Sequence, residues 1–243
     1  MVEVNDLRLV VTADDFGLSP AVNVGVELAH TSGIVTSTSL MVRRLAAEDA
    51  VRRAGRLPGL SMGLHVELTS YSVVDGAWVV DEVVVDPGDR EAVESEVAEQ
   101  VRRFESLVGR RPSHLDSHHH LHRDEPVASV VAAMAERLGV PVRGDGSWSY
   151  RGDFYGQFGA GTPWPEGVTT HSLIAILGTL TPGITELACH PAVASHRAHG
   201  TYDRERVVEL TSLCDPLVRA EIDRLGIALV GAEARRQPNR PDT

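Results

Sequence analysis

The segment Asp116-Ser117-His118-His119-His120-Leu121-His122 holds four of the chain's 11 histidines. Imidazole nitrogens and carboxylate oxygens together are ligands for Zn²⁺, Mn²⁺, Co²⁺ or, less typically, Mg²⁺. In an extended stretch side chains alternate, so Asp116, His118, His120 and His122 are expected on one face and His119 on the other. The cluster is internal and broken by Leu121, which separates it from an affinity-tag scar. A solvated polar loop is the plain alternative. Metal binding or catalysis is the reading that the composition of the segment favours.

Other chemistry-bearing residues close apolar runs. Thr12-Ala13-Asp14-Asp15-Phe16-Gly17 ends the first run with two adjacent carboxylates. Neighbours in a strand point oppositely, but a bend at the strand's exit would bring both to one site. One could then bind metal while the other takes a proton from water. A solvated turn pivoting on Gly17, with Asp15 capping a helix, is the competing reading. His65 stands alone in Gly63-Leu64-His65-Val66-Glu67-Leu68, where a hydrogen-bonded core histidine is the ordinary occupant, and Glu67 lies two residues on along the same face. His190, in Ala188-Cys189-His190-Pro191, leaves a buried strand and could donate a proton near neutral pH. A turn histidine bonded to a local carbonyl is the alternative. Cys189 has no paired base in a readable motif and is assigned to the core. His196 and His199 read as solvated, and His30, His114 and His171 receive no role.

The elements that must position these groups alternate in type. Strands are expected at Leu7–Ala13, Val35–Val42, Leu60–Leu68, Pro112–Ser117, Val140–Arg143, Thr185–Cys189 and Ile227–Val230. Between them, Ser19-Pro20 caps a helix to about His30. Val93, Val97, Val101, Phe104 and Val108 repeat at helical spacing. Pro126 opens Val127–Leu138 before Gly139, and Asp203 and Pro216 open the last two helical pieces. Strands alternating with helices predict a parallel sheet. The candidate groups fall at the carboxyl ends of strands spread around the sheet, which a closed barrel mouth gathers better than one switch point of an open sheet. The expectation is an α/β fold: a single-domain, distorted (β/α) barrel of about seven strands over residues 1–231, with a flexible tail over 232–243.

Net charge is −11, with 23 cationic residues, every one of them Arg. Without basic blocks, nucleic acid and anionic membranes are not expected partners. The absence of Lys rules out a lysine nucleophile or Schiff base. The acidic start of the chain lacks signal-peptide character, no apolar run is long enough for a membrane span, and the expected location is cytoplasmic. Trp148, Tyr150, Phe154, Tyr155, Phe158 and Trp164 crowd one irregular stretch, which reads as a long loop over the barrel mouth. Aromatic faces suit sugar rings, and a homodimer contact or a local mini-core would use them equally well.

Taken in order, Thr12-Ala13-Asp14-Asp15-Phe16-Gly17-Leu18-Ser19, Gly33-Ile34-Val35-Thr36-Ser37-Thr38, Gly63-Leu64-His65, His114-Leu115-Asp116-Ser117-His118-His119-His120-Leu121-His122 and Cys189-His190-Pro191 resemble the YdjC/ChbG family of carbohydrate deacetylases. The resemblance implies a polysaccharide-deacetylase-like barrel and a hydrolase that removes an N-acetyl group from an amino sugar, chitooligosaccharide-like or related. It implies one divalent ion (Mg, Zn, Co or Mn) on Asp15, His65 and His118. Asp14 would then be the base and His190, across the mouth, the acid. Asp116, His120, His122, Trp148 and Tyr155 are assigned to substrate contact, and the partner is an acetylated amino sugar. Two other classes stay open: a metal-dependent hydrolase of another bond, phosphodiester or amide, and a catalytically silent sugar-binding module.

Overall fold

The computed structural model describes residues 6–74, 77–159, 161–195 and 202–236. Its parallel sheet runs β6 (Leu115–Ser117), β3 (Ser61–Val66), β2 (Ser37–Leu40), β1 (Leu7–Phe16), β10 (Gly183–Cys189), β7 (Ser149–Arg151), and β11 (Ala228–Leu229) also pairs with β1. The expected strand at Val140–Arg143 shrinks to a single parallel bridge of Val142 with Leu115. Four strand spacings separate β6 from β10, about 19 Å if the sheet were flat. Arg143, beside β6, nevertheless reaches Glu186 of β10 at 3.0 Å. The sheet is therefore curled into a partial barrel, with these side chains inside it.

Among the described residues seven helices cover the outside: α1 (Pro20–Thr31), α2 (Ala47–Ala54), α3 (Arg90–Val108), α4 (Val127–Leu138), α5 (Thr170–Leu177), α6 (Asp203–Leu213) and α7 (Pro216–Leu225). Local chemistry sets their ends. Ser19 accepts the Val22 N–H ahead of Pro20, and Asp89 accepts those of Glu91 and Ala92. Gly109, Gly139 and Gly226 close α3, α4 and α7 in the left-handed conformation. The spacing read in α3 buries Val93, Val97, Val101 and Phe104. No helix among the described residues is long and apolar enough to cross a membrane.

Period-two alternation sorts β1 between two environments. Leu9, Val11 and Ala13 join the main core, whereas Val10 packs in a separate apolar cluster with Trp148 and Ala232. Ala232–Arg236 form a 3-10 turn, with Ala232 buried and its N–H on Ser61. Positions 237–243 lie outside the described residues. Two small hairpins add to the barrel: β4 (Thr69–Val74) with β5 (Ala77–Val83), and β8 (Gln157–Phe158) with β9 (Thr162–Pro163).

Candidate active site

The carboxyl end of the sheet opens into a cleft of about 820 Å³. Asp14 and Asp15 both line it because β1 does not end as a regular strand. Its register against β2 slips between Ala13 and Phe16, and Asp15 takes φ 64°. An irregularity of this kind re-aims side chains, so two neighbours that would point oppositely share one cleft. Gly17 follows at φ 96°, where a Cβ would stand 2.9 Å from the Met41 carbonyl oxygen, and its N–H donates to Asn23 Oδ1 at 2.8 Å. Only glycine fits that turn.

Asp15 Oδ1 lies 3.1 Å from His118 Nδ1 and 3.4 Å from His65 Nε2, with all three ligand atoms within 4.8 Å of one another. This oxygen is buried without a hydrogen-bond partner, which is the signature expected of a cation ligand. Behind His65, Asp116 Oδ1 holds Nδ1 at 2.7 Å and Ser39 Oγ approaches it at 3.2 Å, leaving Nε2 directed at Asp15. A carboxylate behind an imidazole is how a ligating histidine is oriented and made more basic. One carboxylate and two imidazoles with open space beside them fit a single Zn²⁺-like ion. With no cation bound, burial opposes protonation of His65, but Asp116, Asp15 and Asp14 outweigh it and push its pKa up to about 10. Burial likewise opposes ionisation of Asp15, and Arg206 and His118 overcome it, holding the carboxyl well below its usual range.

Asp14 sits deeper in the same charge network. Arg143, fully buried, grips it with two bonds of 2.6 and 2.7 Å and also reaches Asp116 at 2.9 Å and Glu186 at 3.0 Å. Burial would raise the Asp14 pKa, but Arg143 more than offsets this and the carboxyl stays ionised. His190 Nε2 is 3.8 Å from Asp14 Oδ2. The two groups are therefore beside each other rather than across the mouth, because β10 is the immediate neighbour of β1. Burial disfavours His190 protonation, whereas Glu209, Asp14 and Asp15 raise its pKa above the ordinary value. Cys189 is fully buried and its thiol pKa is raised by burial, in line with a core residue.

The alternation expected of the histidine run does not hold. β6 stops at Ser117, and His118–Arg123 form a 3-10 turn in which His119 and His120 are left-handed at φ 55° and 57°. His118, His119 and His120 consequently all line the cleft. His122 turns inward, buried, with Ser117 Oγ at 2.8 Å from its Nδ1. It does not line the cleft, and neither do Asp116, which is fully buried behind His65, or Trp148, which packs with Val10 at the other end of the strands. Of the five residues assigned to substrate contact, His120 and Tyr155 line the cleft, joined by Tyr150 and Phe154 of the aromatic stretch. Phe158 and Trp164 are exposed, and His196 and His199 lie outside the described residues. Glu67 serves elsewhere: its carboxylate pairs with Arg44. His114, given no role from sequence, packs its ring against Gly63 so closely that a Cβ there would stand 2.4 Å from it.

The sequence assigns no role to several residues that hold the site together, Ser39 and Glu186 among them. Arg143, Arg206, Glu209 and Tyr202 are charged or polar residues of ordinary appearance. Arg206 of α6 bonds Asp15 Oδ2 at 2.5 Å, and Glu209 of the same helix accepts the His190 N–H at 2.5 Å. The only available signal was Arg143 at the end of the apolar run Val140-Pro141-Val142.

Comparison with known proteins adds an independent finding. A carbohydrate deacetylase of Geobacillus stearothermophilus is 36% identical, covering 91% of this chain and 95% of its own. A chitooligosaccharide deacetylase of Salmonella paratyphi C is 30% identical over 90% and 95%. Among solved structures, an Enterococcus faecalis V583 protein named for cellobiose-phosphate cleavage superposes with a TM-score of 0.77 at 24% identity, covering 95% of this chain and 99% of that one. A Streptococcus mutans CE4 esterase gives 0.58 at 17%, over 93% and 87%, and shares the curled-sheet fold. The family model described as YdjC-like protein matches residues 8–224, and the chain belongs to that family.

Proposed function

We propose that this protein is a divalent-metal-dependent carbohydrate deacetylase that hydrolyses the acetamide of an N-acetylated amino sugar. The observation that carries this reading is the meeting of Asp15, His65 and His118 around one point on the cleft floor, with Asp14 and His190 beside it. The names of its full-length relatives support the substrate class.

Asp15, His65 and His118 would hold the cation, which when bound would supply Lewis acidity to the acetamide oxygen and to the attacking water. Asp14, kept ionised by Arg143, takes the water proton on Oδ2, which accepts only from the guanidinium, whereas Oδ1 accepts from both Arg143 and Ser39. His190 gives a proton to the departing amine, which is a poor leaving group until protonated. Tyr150, Tyr155 and His120 offer ring faces along the cleft to the apolar face of a sugar. The direct test is to load the purified protein with Co²⁺ or Zn²⁺ and measure acetate released from a panel of N-acetylated sugars, N,N′-diacetylchitobiose included. Release that requires the metal supports the reading. No release from any N-acetyl sugar, with hydrolysis of a phosphodiester or another amide instead, overturns it.

A further inference from the structure

Beneath His190 lies a group of buried polar side chains that the reaction above does not use. Glu209 of α6 is fully buried. Its Oε2 accepts the His190 backbone N–H at 2.5 Å, and its Oε1 accepts the Tyr202 hydroxyl at 2.6 Å. The same Oε1 stands 3.6 Å from His190 Nδ1, a buried nitrogen with no other partner. The Tyr202 oxygen in turn accepts the Gly156 N–H at 2.6 Å, and the Tyr202 ring stacks on Tyr155 at 4.5 Å and 10°. A single carboxylate thus meets both the main chain and the ring of His190 and is itself tied to the aromatic segment that walls the cleft.

We infer that Glu209, held by Tyr202, is a positioning residue for His190: it orients the imidazole with Nδ1–H toward its carboxylate and Nε2 toward Asp14 and the cleft. This rests on the assignment of His190 as the proton donor. Three observations favour it over a purely structural role. A carboxylate fully removed from water is costly unless its interactions require the charge, and one oxygen suffices for the main chain, whereas the second faces both the Tyr202 hydroxyl and His190 Nδ1. Its free approach is to Nδ1, the nitrogen whose proton decides which tautomer presents Nε2 to the cleft. The 3.6 Å separation is long for a hydrogen bond, as catalytic contacts often are before substrate tightens them. The other groups facing the ring are Asp14 of β1 at 3.8 Å, the Tyr155 and Tyr202 rings at 5.5 and 5.6 Å, and Arg206 of α6, whose guanidinium reaches the His190 carbonyl at 3.5 Å while binding Asp15. Among them Glu209 is the only carboxylate on the Nδ1 side.

The test uses Co²⁺-loaded wild type, E209Q, E209D, Y202F, H190A and the E209Q/H190A double variant. Two substrates separate the roles: N,N′-diacetylchitobiose, whose amine must be protonated, and 4-nitrophenyl acetate, whose leaving group need not be. E209Q should lower kcat on the acetamide at least tenfold with little change in KM, spare the ester, and move the alkaline limb of the acetamide profile to lower pH. E209D should recover part of the loss, and Y202F should show a smaller version of it. In the H190A background E209Q should add nothing. If E209Q slows both substrates alike with the limb unmoved, or costs as much without His190 as with it, Glu209 is structural and the inference fails while the proton-donor assignment stands. Equal losses on the two substrates in H190A itself overturn both. Thermal melts identify a variant that has lost its fold, in which case Y202F and E209D carry the comparison.

Discussion

At its amino end β1 places Val10 in an apolar cluster with Trp148 and Ala232; four residues on, the same face of the strand places Asp14 on Arg143. β10 repeats the contrast, with Ile184 against the apolar cluster and Glu186 on Arg143 two residues later. Both ends are buried, but the forces differ. The amino end is held by area removed from water, which tolerates substitution in proportion to the volume lost. The carboxyl end buries charges whose removal from water is unfavourable and is offset only by partners in place, so losing one partner leaves another charge stranded. One end of the strands provides stability and the other concentrates reactivity.

Substitutions at the two ends should therefore fail in different ways. The largest effect is expected at His118. H118A should bring bound divalent metal from about one per chain to near zero by elemental analysis and abolish deacetylation, while leaving the cooperative unfolding transition in place. Full occupancy in that variant would remove His118 from the ligand set. D14N should keep the metal and lose about two to four decades of turnover, the scale of a general base. Should it be D14N that strips the metal while D15N retains it, the two carboxylates have exchanged roles. R143M should cost about 3–5 kcal/mol in urea unfolding, since Asp14, Asp116 and Glu186 lose their shared cation. W148A, at the opposite end, should cost about 3 kcal/mol by lost packing, with activity per folded molecule unchanged. A W148A enzyme that folds well but is slow would break the division between the ends. The smallest effect is a displaced pH limb. The folded-state pKa of His190 lies above 6.5, so the proton-donor form persists past that value and activity should fall only as pH rises through the raised pKa. An alkaline limb at or below pH 6.5 would contradict this.

Which of these features could be read without coordinates follows from the range of the interactions. Helix ends at Ser19-Pro20, Pro126 and Gly139 are specified by neighbours a few residues away, and they lie where the sequence puts them. Asp14, Asp15, His65, His118 and His190 were visible because such residues are conspicuous at the ends of apolar runs, and all five line one cleft. The histidine run was misread in detail because two consecutive left-handed residues cancel the strand period, and no glycine or proline marks the break. The hairpin of β4 and β5 lies outside the expected strands, although residues 71–84 are rich in β-branched and aromatic side chains. Arg143 and Arg206 were invisible for a different reason. A solitary arginine in a strand end or a helix is ordinarily a surface residue, and partners distant in sequence, 43 and 129 positions away for Arg143 and 191 for Arg206, make these two buried counter-ions.

Those separations also bear on how the protein comes into being. The counter-ion of Asp15 is made 191 residues after it, on α6, together with Glu209 beneath His190. At roughly 5–20 residues per second of synthesis, the nascent chain would carry an unneutralised carboxylate at the heart of its sheet for some ten seconds or more. A chain halted before α6 lacks two of the outer helices and the arginine that pairs with Asp15. The β1–β10 pairing and the Arg206–Asp15 pair join positions 176 and 191 residues apart, the kind of long-range contact whose closure entropy must be met before it contributes stability.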